Sequence, residues 1–414
     1  MFMIVRTLVF CMVGVIVFFS TQLSATDPLK KEVPQPLPEK IVQVWQNAGA
    51  SAGACEVFNF GLSFNSDPRC QAGRVPGFQI KNWKDGMLKE LPAPETAFGL
   101  DLSGTQVTGK GLKELSNFNQ LTWLSLIATP VTDAGLKELT NLKQLNSLSL
   151  SYTAVTDMGL NDVAQIKHLN NLDLTRTKVT DTGLKALGNL KELTSLILDE
   201  TPVTGTGLKG LANLTQLNRL SLSSTKITDE GMKELAKLTQ LKDLGLSYTN
   251  VTDEGMKELA KLTQLFNLEL IDSKISDVSL KELVKLKQLS LLILSRTQVT
   301  DLGLKEIAKL TQLNALVLSE TQVTDAGLNE LAKLTQLICL HINQTKVTDA
   351  GLKELAKLTQ LNSLDISGTQ VTDIGLKELA KLTQLRVLEL CGTQVSDTGL
   401  KELQKSLPKC VIFK

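Results

Sequence analysis

Leucines recur along most of the chain at positions that first alternate with polar residues and then fall three apart. In the clearest copies the pattern reads LxxLxLxxTxVTDxGLKELAKLTQ. Leu148 and Leu150 point to one side of an extended segment while Ser147, Ser149 and Ser151 point to the other, which predicts a short strand. Leu136, Leu139 and Leu142 then recur after Thr132-Asp133, which predicts a helix behind each strand with the aspartate as its N-cap. Threonines stand at 105, 129, 153, 177, 201, 225, 249, 297, 321, 345, 369 and 393, with Ser273 in the one gap. Each step is 24 residues (129 minus 105), over thirteen copies without insertion or deletion.

Such a fixed period predicts a stack of identical units, a solenoid. One copy alone buries too little apolar surface to offset the ordering of its backbone. Stacked copies share strand hydrogen bonds and both flanks of a leucine layer. Parallel strands at about 4.8 Å spacing would form a sheet about 60 Å long. Helices are wider than strands, so the ribbon is expected to curve with its sheet inside.

Smaller positions carry their own expectations. A column of buried Thr hydroxyls, kept by Ser273, is expected to serve backbone groups where the chain leaves each strand. Glycine at 135, 159 and 183 predicts close approach of neighbouring helices; Ser279 replaces it once, so the demand is for a small side chain more than for positive φ. Gly109 and Gly205 stand where other copies have Asp, and those helices should begin less firmly. Asp253 with Lys257, and Glu258 with Lys261, are expected as surface pairs.

This pattern resembles the leucine-rich repeat family, and most closely the 24-residue copies common in long bacterial envelope proteins, planctomycetes included. The resemblance covers about three quarters of the chain (residues 97 to 408). It departs from the commonest form by placing Thr, as at Thr129 and Thr153, where Asn or Cys usually stands. What the resemblance implies is an α/β leucine-rich-repeat solenoid, with a parallel sheet on a concave face, helices on the convex face and a cap at each end. It further implies a scaffold that holds a protein, peptide or glycan on the concave sheet.

The flanks read differently. Arg6 followed by the apolar run from Thr7 to Phe19 and small polar residues to Ala25 predicts a secretory signal peptide over 1–25, the run being shorter than the roughly 20 residues that span a bilayer. Membrane anchoring is expected only if that segment stays uncleaved. Pro28, Pro34, Pro36 and Pro38 make 26–38 a stiff linker. An N-terminal cap is expected over 39–96, opened by an amphipathic helix from Glu39 to Ala48 and rich in aromatic residues (Trp45, Phe58, Phe60, Phe64, Phe78, Trp83) that can cover an open slice of core. Cys55 and Cys70 are a candidate disulfide in an oxidising compartment, with two free thiols as the alternative. Repeats fill 97–408. Pro408 ends the last helix, and 409–414 forms a capping strand with Ile412 in register 24 after Leu388.

Charge and composition narrow the partners. Lys+Arg is 44 against Asp+Glu 43, and aromatics are 4%. Neither a basic stripe nor a stacking platform is present, which argues against nucleic acid. The outer KELAKLTQ segment hardly varies between copies, whereas outward strand positions do, as a binding face requires. Candidate partner-binding positions there are Trp123, Ile127, Asp173, Ile197, Arg219, Asp243, Glu269, Ile271, Leu291, Ile293, Val317, His341, Asp365 and Glu389. Among them Ile271, Leu291, Ile293 and Val317, with Ala315, are expected to form an exposed apolar island. Cys339, His341 and Asn343 alternate beside Asp365 and Glu389, a grouping open to three readings: a thiol nucleophile with its base, a weak metal site, or a solvated polar surface. Alternate residues on an open strand stand about 7 Å apart and nothing encloses a substrate, so no enzyme, metal or cofactor is assigned. The expected function is an exported, non-enzymatic recognition scaffold; the alternative is a structural envelope protein whose copies assemble with one another.

Overall fold

The computed structural model describes residues 34–58, 61–67 and 74–414. The segment expected to be a signal peptide, the first part of the expected linker and Cys70 lie outside the described residues. The chain forms two compact units, Met1–Thr225 and Lys226–Lys414.

In the first unit a helix over Glu39–Asn47 leads into three strands, β1 (Ala50–Phe58), β2 (Gly61–Asn65) and β3 (Arg74–Ile80). β1 pairs antiparallel with both β2 and β3, and β3 pairs parallel with β4 (Phe98–Asp101). The helix was legible from its apolar spacing; the strands were not, because Ala-Ser-Ala-Gly-Ala-Cys offers no alternation. They form because the open edge of β4 presents unpaired amide and carbonyl groups that need partners. Gly77 and Gly99, facing one another across β3 and β4, make room for Cys55: a Cβ on Gly77 would come within 2.7 Å of the Cys55 Sγ. Cys55 itself is a free, fully buried thiol.

The copies follow as β5 (Leu121–Ser125), β6 (Ser147–Ser149), β7 (Asn171–Asp173), β8 (Ser195–Ile197) and β9 (Arg219–Ser221), parallel and in register throughout, as in Leu148 against Leu172. The second unit repeats the arrangement from β10 (Asp243–Gly245) through β11 (Asn267–Glu269), β12 (Leu291–Ile293), β13 (Ala315–Val317), β14 (Cys339–His341), β15 (Ser363–Asp365) and β16 (Val387–Glu389). β17 (Val411–Phe413) then pairs parallel with β16, placing Ile412 beside Leu388 as the spacing predicted. From β5 to β16 the core leucine of each strand (Leu124 to Leu388) is buried, and so is the leucine or isoleucine two residues on. Behind most strands runs a helix of two turns, such as Asp325–Leu331.

The expected hydroxyl column is present: Thr153 Oγ1 donates to the Leu150 carbonyl at 2.6 Å, and Ser273 Oγ to that of Leu270 at 2.7 Å. The capping expectation needs correction. Threonine, not aspartate, is the N-cap; Thr324 Oγ1 accepts from the Ala326 amide at 3.3 Å, and Asp325 is the first helical residue. The aspartate instead reaches the next copy. Asp301 Oδ1 accepts from the Thr324 amide at 2.8 Å and Oδ2 from its hydroxyl at 2.7 Å. Asp253 likewise accepts from the Ser276 amide at 2.9 Å and from its hydroxyl, so it makes no pair with Lys257, which bonds Glu254 at 2.5 Å; Glu258–Lys261 forms as expected. These latches explain the glycine. A Cβ on Gly159 would fall 2.5 Å from Asp133 Oδ1 and 2.7 Å from Leu136 Cδ1, with no positive φ involved. Where glycine replaces the aspartate the helices are weaker, as expected: Gly109–Leu112 has four residues before a 3-10 turn, and Gly205–Leu211 is 3-10 throughout. The following copies lose the latch as well, since neither Thr132 nor Thr228 makes a side-chain cap bond.

Candidate functional site

Strand side chains that alternate with the core leucines occupy the face assigned to binding. Parallel register sets them in columns 24 residues apart: Leu291 beside Ala315, Ile293 beside Val317, then His341, Asp365 and Glu389. The apolar island therefore assembles, but it is not exposed. Ile293 is 1% accessible and Val317 3%. Asp173, Ile197, Leu291, His341 and Asp365 are also buried, while Ile127, Arg219, Asp243, Glu269, Ile271 and Glu389 are half-buried. The expectation of an open face fails because neighbouring strands sit one side-chain width apart, so each column covers itself. Trp123 is buried for a second reason: Cys55 and Leu62 pack on it from the N-terminal strands, with Phe64 alongside.

This packing contradicts the solvated surface considered for Cys339 and His341, both of which are buried, and it opposes a nucleophilic role for the thiol. Burial drives the Cys339 thiol far above its ordinary value, the reverse of what a thiolate nucleophile requires. It lowers the His341 imidazole, against an opposing pull from Asp365. His168 lies at the surface beside Glu192, 3.1 Å away.

An acidic pair only half visible in the residue pattern lies in the first unit. Asp173 accepts from Ser149 Oγ at 2.8 Å and from Thr175 Oγ1 at 2.7 Å, and burial raises its carboxyl. Asp199, not singled out from the sequence, accepts from Ser221 Oγ at 2.5 Å and the Ser223 amide at 2.8 Å. Burial, with Asp173 and Glu200 nearby, pushes it up to about 6. An acid whose folded value exceeds its unfolded value of about 3.9 favours folding at low pH, and that contribution is lost as pH rises through the folded value. Asp199→Asn is accordingly expected to stabilise the protein by about 1 to 3 kcal/mol at pH 7 and to leave it unchanged near pH 4. Urea denaturation at both pH values checks this; equal midpoints at pH 7 would contradict it.

Side chains more exposed than those of the strands stand one residue before the turn threonine. Ten of these residues are left-handed and not glycine, from Ala128 (φ 53°) to Gln344 (φ 54°), including Tyr152, Arg176, Tyr248 and Arg296. Glycine holds the same position at 104, 368 and 392, with φ of 71°, 66° and 71°. Left-handed backbone costs a residue with a Cβ about 1 to 2 kcal/mol. Ladder bonds impose it here: the Tyr152 amide donates to the Thr175 carbonyl at 2.8 Å, and that of Arg176 to Asp199 at 2.9 Å. All thirteen are exposed except Glu320, which is half-buried. At Gly368 and Gly392 the missing side chains leave a shallow depression of ≈ 620 Å³ beside Gln344, Lys346, Ser367 and Cys391. The three glycines were the available signal for this position.

A family model described as "Leucine-rich repeat region" matches residues 102–277 and 261–412. No curated protein matches significantly. Among solved structures, an internalin of Listeria monocytogenes is similar at 26% identity and a TM-score of 0.58, over 80% of this chain and 89% of that one. A leucine-rich repeat protein of Leptospira interrogans aligns at 23% identity and a TM-score of 0.45, over 81% and 93% respectively. A plant peptide hormone receptor in complex with RGF2 aligns at 19% identity and a TM-score of 0.44, over 83% of this chain and 59% of the receptor. In-register strands 24 residues apart, the buried leucine layer and a family match across most of the chain lead to one assignment: this protein belongs to the leucine-rich repeat family.

Proposed function

We propose that the protein is an exported, non-enzymatic scaffold that binds a protein or peptide through the strand side of its repeats. The observation that carries this is a contrast in how copies vary. On the helical side of the second unit the chemistry repeats nearly unchanged, with Lys–Glu pairs such as Glu282–Lys285, Glu330–Lys333 and Glu378–Lys381. On the strand side the accessible positions change from copy to copy, from Tyr248 and Arg296 to Gly368 at the turn and from Arg219 to Ile271 near the strands. A surface kept only for stability has no reason to vary on one side alone. Export rests on the apolar run Thr7–Phe19 with its flanking Arg6 and small residues. The matched family and its internalin relative support the scaffold reading.

The test is saturable capture. The chain without residues 1–25, immobilised and passed over a cell-envelope extract, is expected to retain a defined protein or peptide species. Retention should survive Lys305→Glu and Lys353→Glu on the helical side. An absence of saturable retention would remove the reading, and loss through those two variants would move the site to the helices.

A further inference from the structure

We propose that Tyr152 and Arg176 form a receptor for a single carboxylate of the protein or peptide partner. The inference deepens the binding function proposed above and rests on it. Both residues are left-handed at φ 58° and 55°, in a position where glycine serves three other copies without strain. Tyr152 remains 49% exposed, so its ring gains little from packing inside the fold. Eight other copies share this backbone, so what sets the pair apart is its chemistry: an exposed arginine stacked over an exposed tyrosine ring.

The geometry names the chemistry. The Arg176 guanidinium carbon lies 4.9 Å above the Tyr152 ring centre, and Nε donates to Glu200 Oε2 at 2.5 Å. One face and one edge of the guanidinium are thereby held, which leaves Nη1 and Nη2 as donors with no acceptor among the described residues. A planar, pre-oriented pair of N–H donors matches the two oxygens of a carboxylate. Arg296, at the same position of another copy, is engaged differently: its Nη2 lies 3.2 Å from Asp272 and its Nε 4.0 Å from Glu320. Asp199 and Glu200 beside Arg176 weaken its pull on any anion and most of all on a polyanion, so what fits the two remaining donors is one carboxylate on an otherwise uncharged or basic segment. Tyrosine and arginine are also the side chains on which interface affinity most often concentrates.

Selection of random dodecapeptides displayed on phage against the purified chain tests this. The expected result is enrichment of peptides holding one Asp, Glu or free C-terminal carboxylate. A synthetic copy of the best peptide should bind about tenfold more weakly to Arg176→Gln and to Tyr152→Gly, and equally weakly when its carboxylate is made an amide. Arg296→Gln should leave binding unchanged. Arg176→Gly, which relieves the backbone, should lose binding while its melting temperature holds or rises, separating contact from folding. Binders that ignore Arg176→Gln, or that need no carboxylate, overturn this inference and leave the scaffold function standing. Failure to select any saturable binder overturns both.

Discussion

Trp45→Ala is expected to destabilise the first unit by about 3 to 5 kcal/mol, among the largest effects of any single substitution in this protein. Trp45 is wholly buried. Its ring stacks on Phe78 at 4.2 Å, meets the edge of Phe98 at 6.2 Å and tilts against Phe118 at 5.5 Å, while Nε1 donates to the Pro92 carbonyl at 3.0 Å. Phe98 and Phe118 belong to the first copy, so this one side chain joins the cap to the leucine layer. Truncation removes three aromatic contacts, opens a cavity and orphans a carbonyl. Trp45→Phe keeps most of the packing and should cost about 1 to 2 kcal/mol, chiefly through the lost hydrogen bond. Urea unfolding of both variants measures the difference. A Trp45→Ala loss below about 1 kcal/mol would mean that the first copy closes without its cap.

Asp349→Ala is expected to cost about 2 to 4 kcal/mol, with the damage concentrated one copy downstream. Asp349 accepts from the Thr372 amide at 2.8 Å, the Thr372 hydroxyl at 2.7 Å and the Gly375 amide at 3.0 Å. Thr372 is in turn the N-cap of the helix Asp373–Leu379. Hydrogen exchange should therefore quicken over 372–379 more than over the helix that contains residue 349. A Thr372→Val double-mutant cycle should return coupling of at least about 0.5 kcal/mol, since the two residues share their bonds. Uniform loss of protection along the unit would argue against a local latch. Acid should act in the same direction at Asp373, whose carboxyl is held below its usual range first by the Ser396 hydroxyl and then by its amide. A lowered folded value means that this latch contributes fully above the unfolded value of about 3.9 and is lost as pH falls through the folded one.

Much of this architecture is legible one copy at a time. Leu148 and Leu150 against Ser147 and Ser149 announce a strand, Gly159 with its single replacement at Ser279 announces a steric demand, and Ser273 shows that the turn position needs a hydroxyl. Ile412, in step with Leu388, locates the last strand by spacing alone. Each of these is a local requirement repeated at a fixed distance, and repetition makes it readable. The roles of Asp133 and Asp301 were not readable in the same way. An aspartate ahead of a helix has an obvious local use as a cap, and only the placement of Thr156 and Thr324 in the following copies shows that its oxygens are spent elsewhere.

The candidate site divides along the same line. Sequence alone established which residues share the strand face, because a period of two within a period of 24 leaves no other arrangement for Ile293, Val317 and His341. It could not say whether that face meets solvent, since exposure depends on how closely columns of neighbouring strands cover one another, and that is a distance between copies. Tertiary structure decided it: the column is closed, and the accessible chemistry moves to Tyr152 and Arg176 at the turn, where the inter-copy ladder forces a left-handed backbone that no residue type at those two positions advertises. Patterns within one copy determine what can be buried; contacts between copies determine what is.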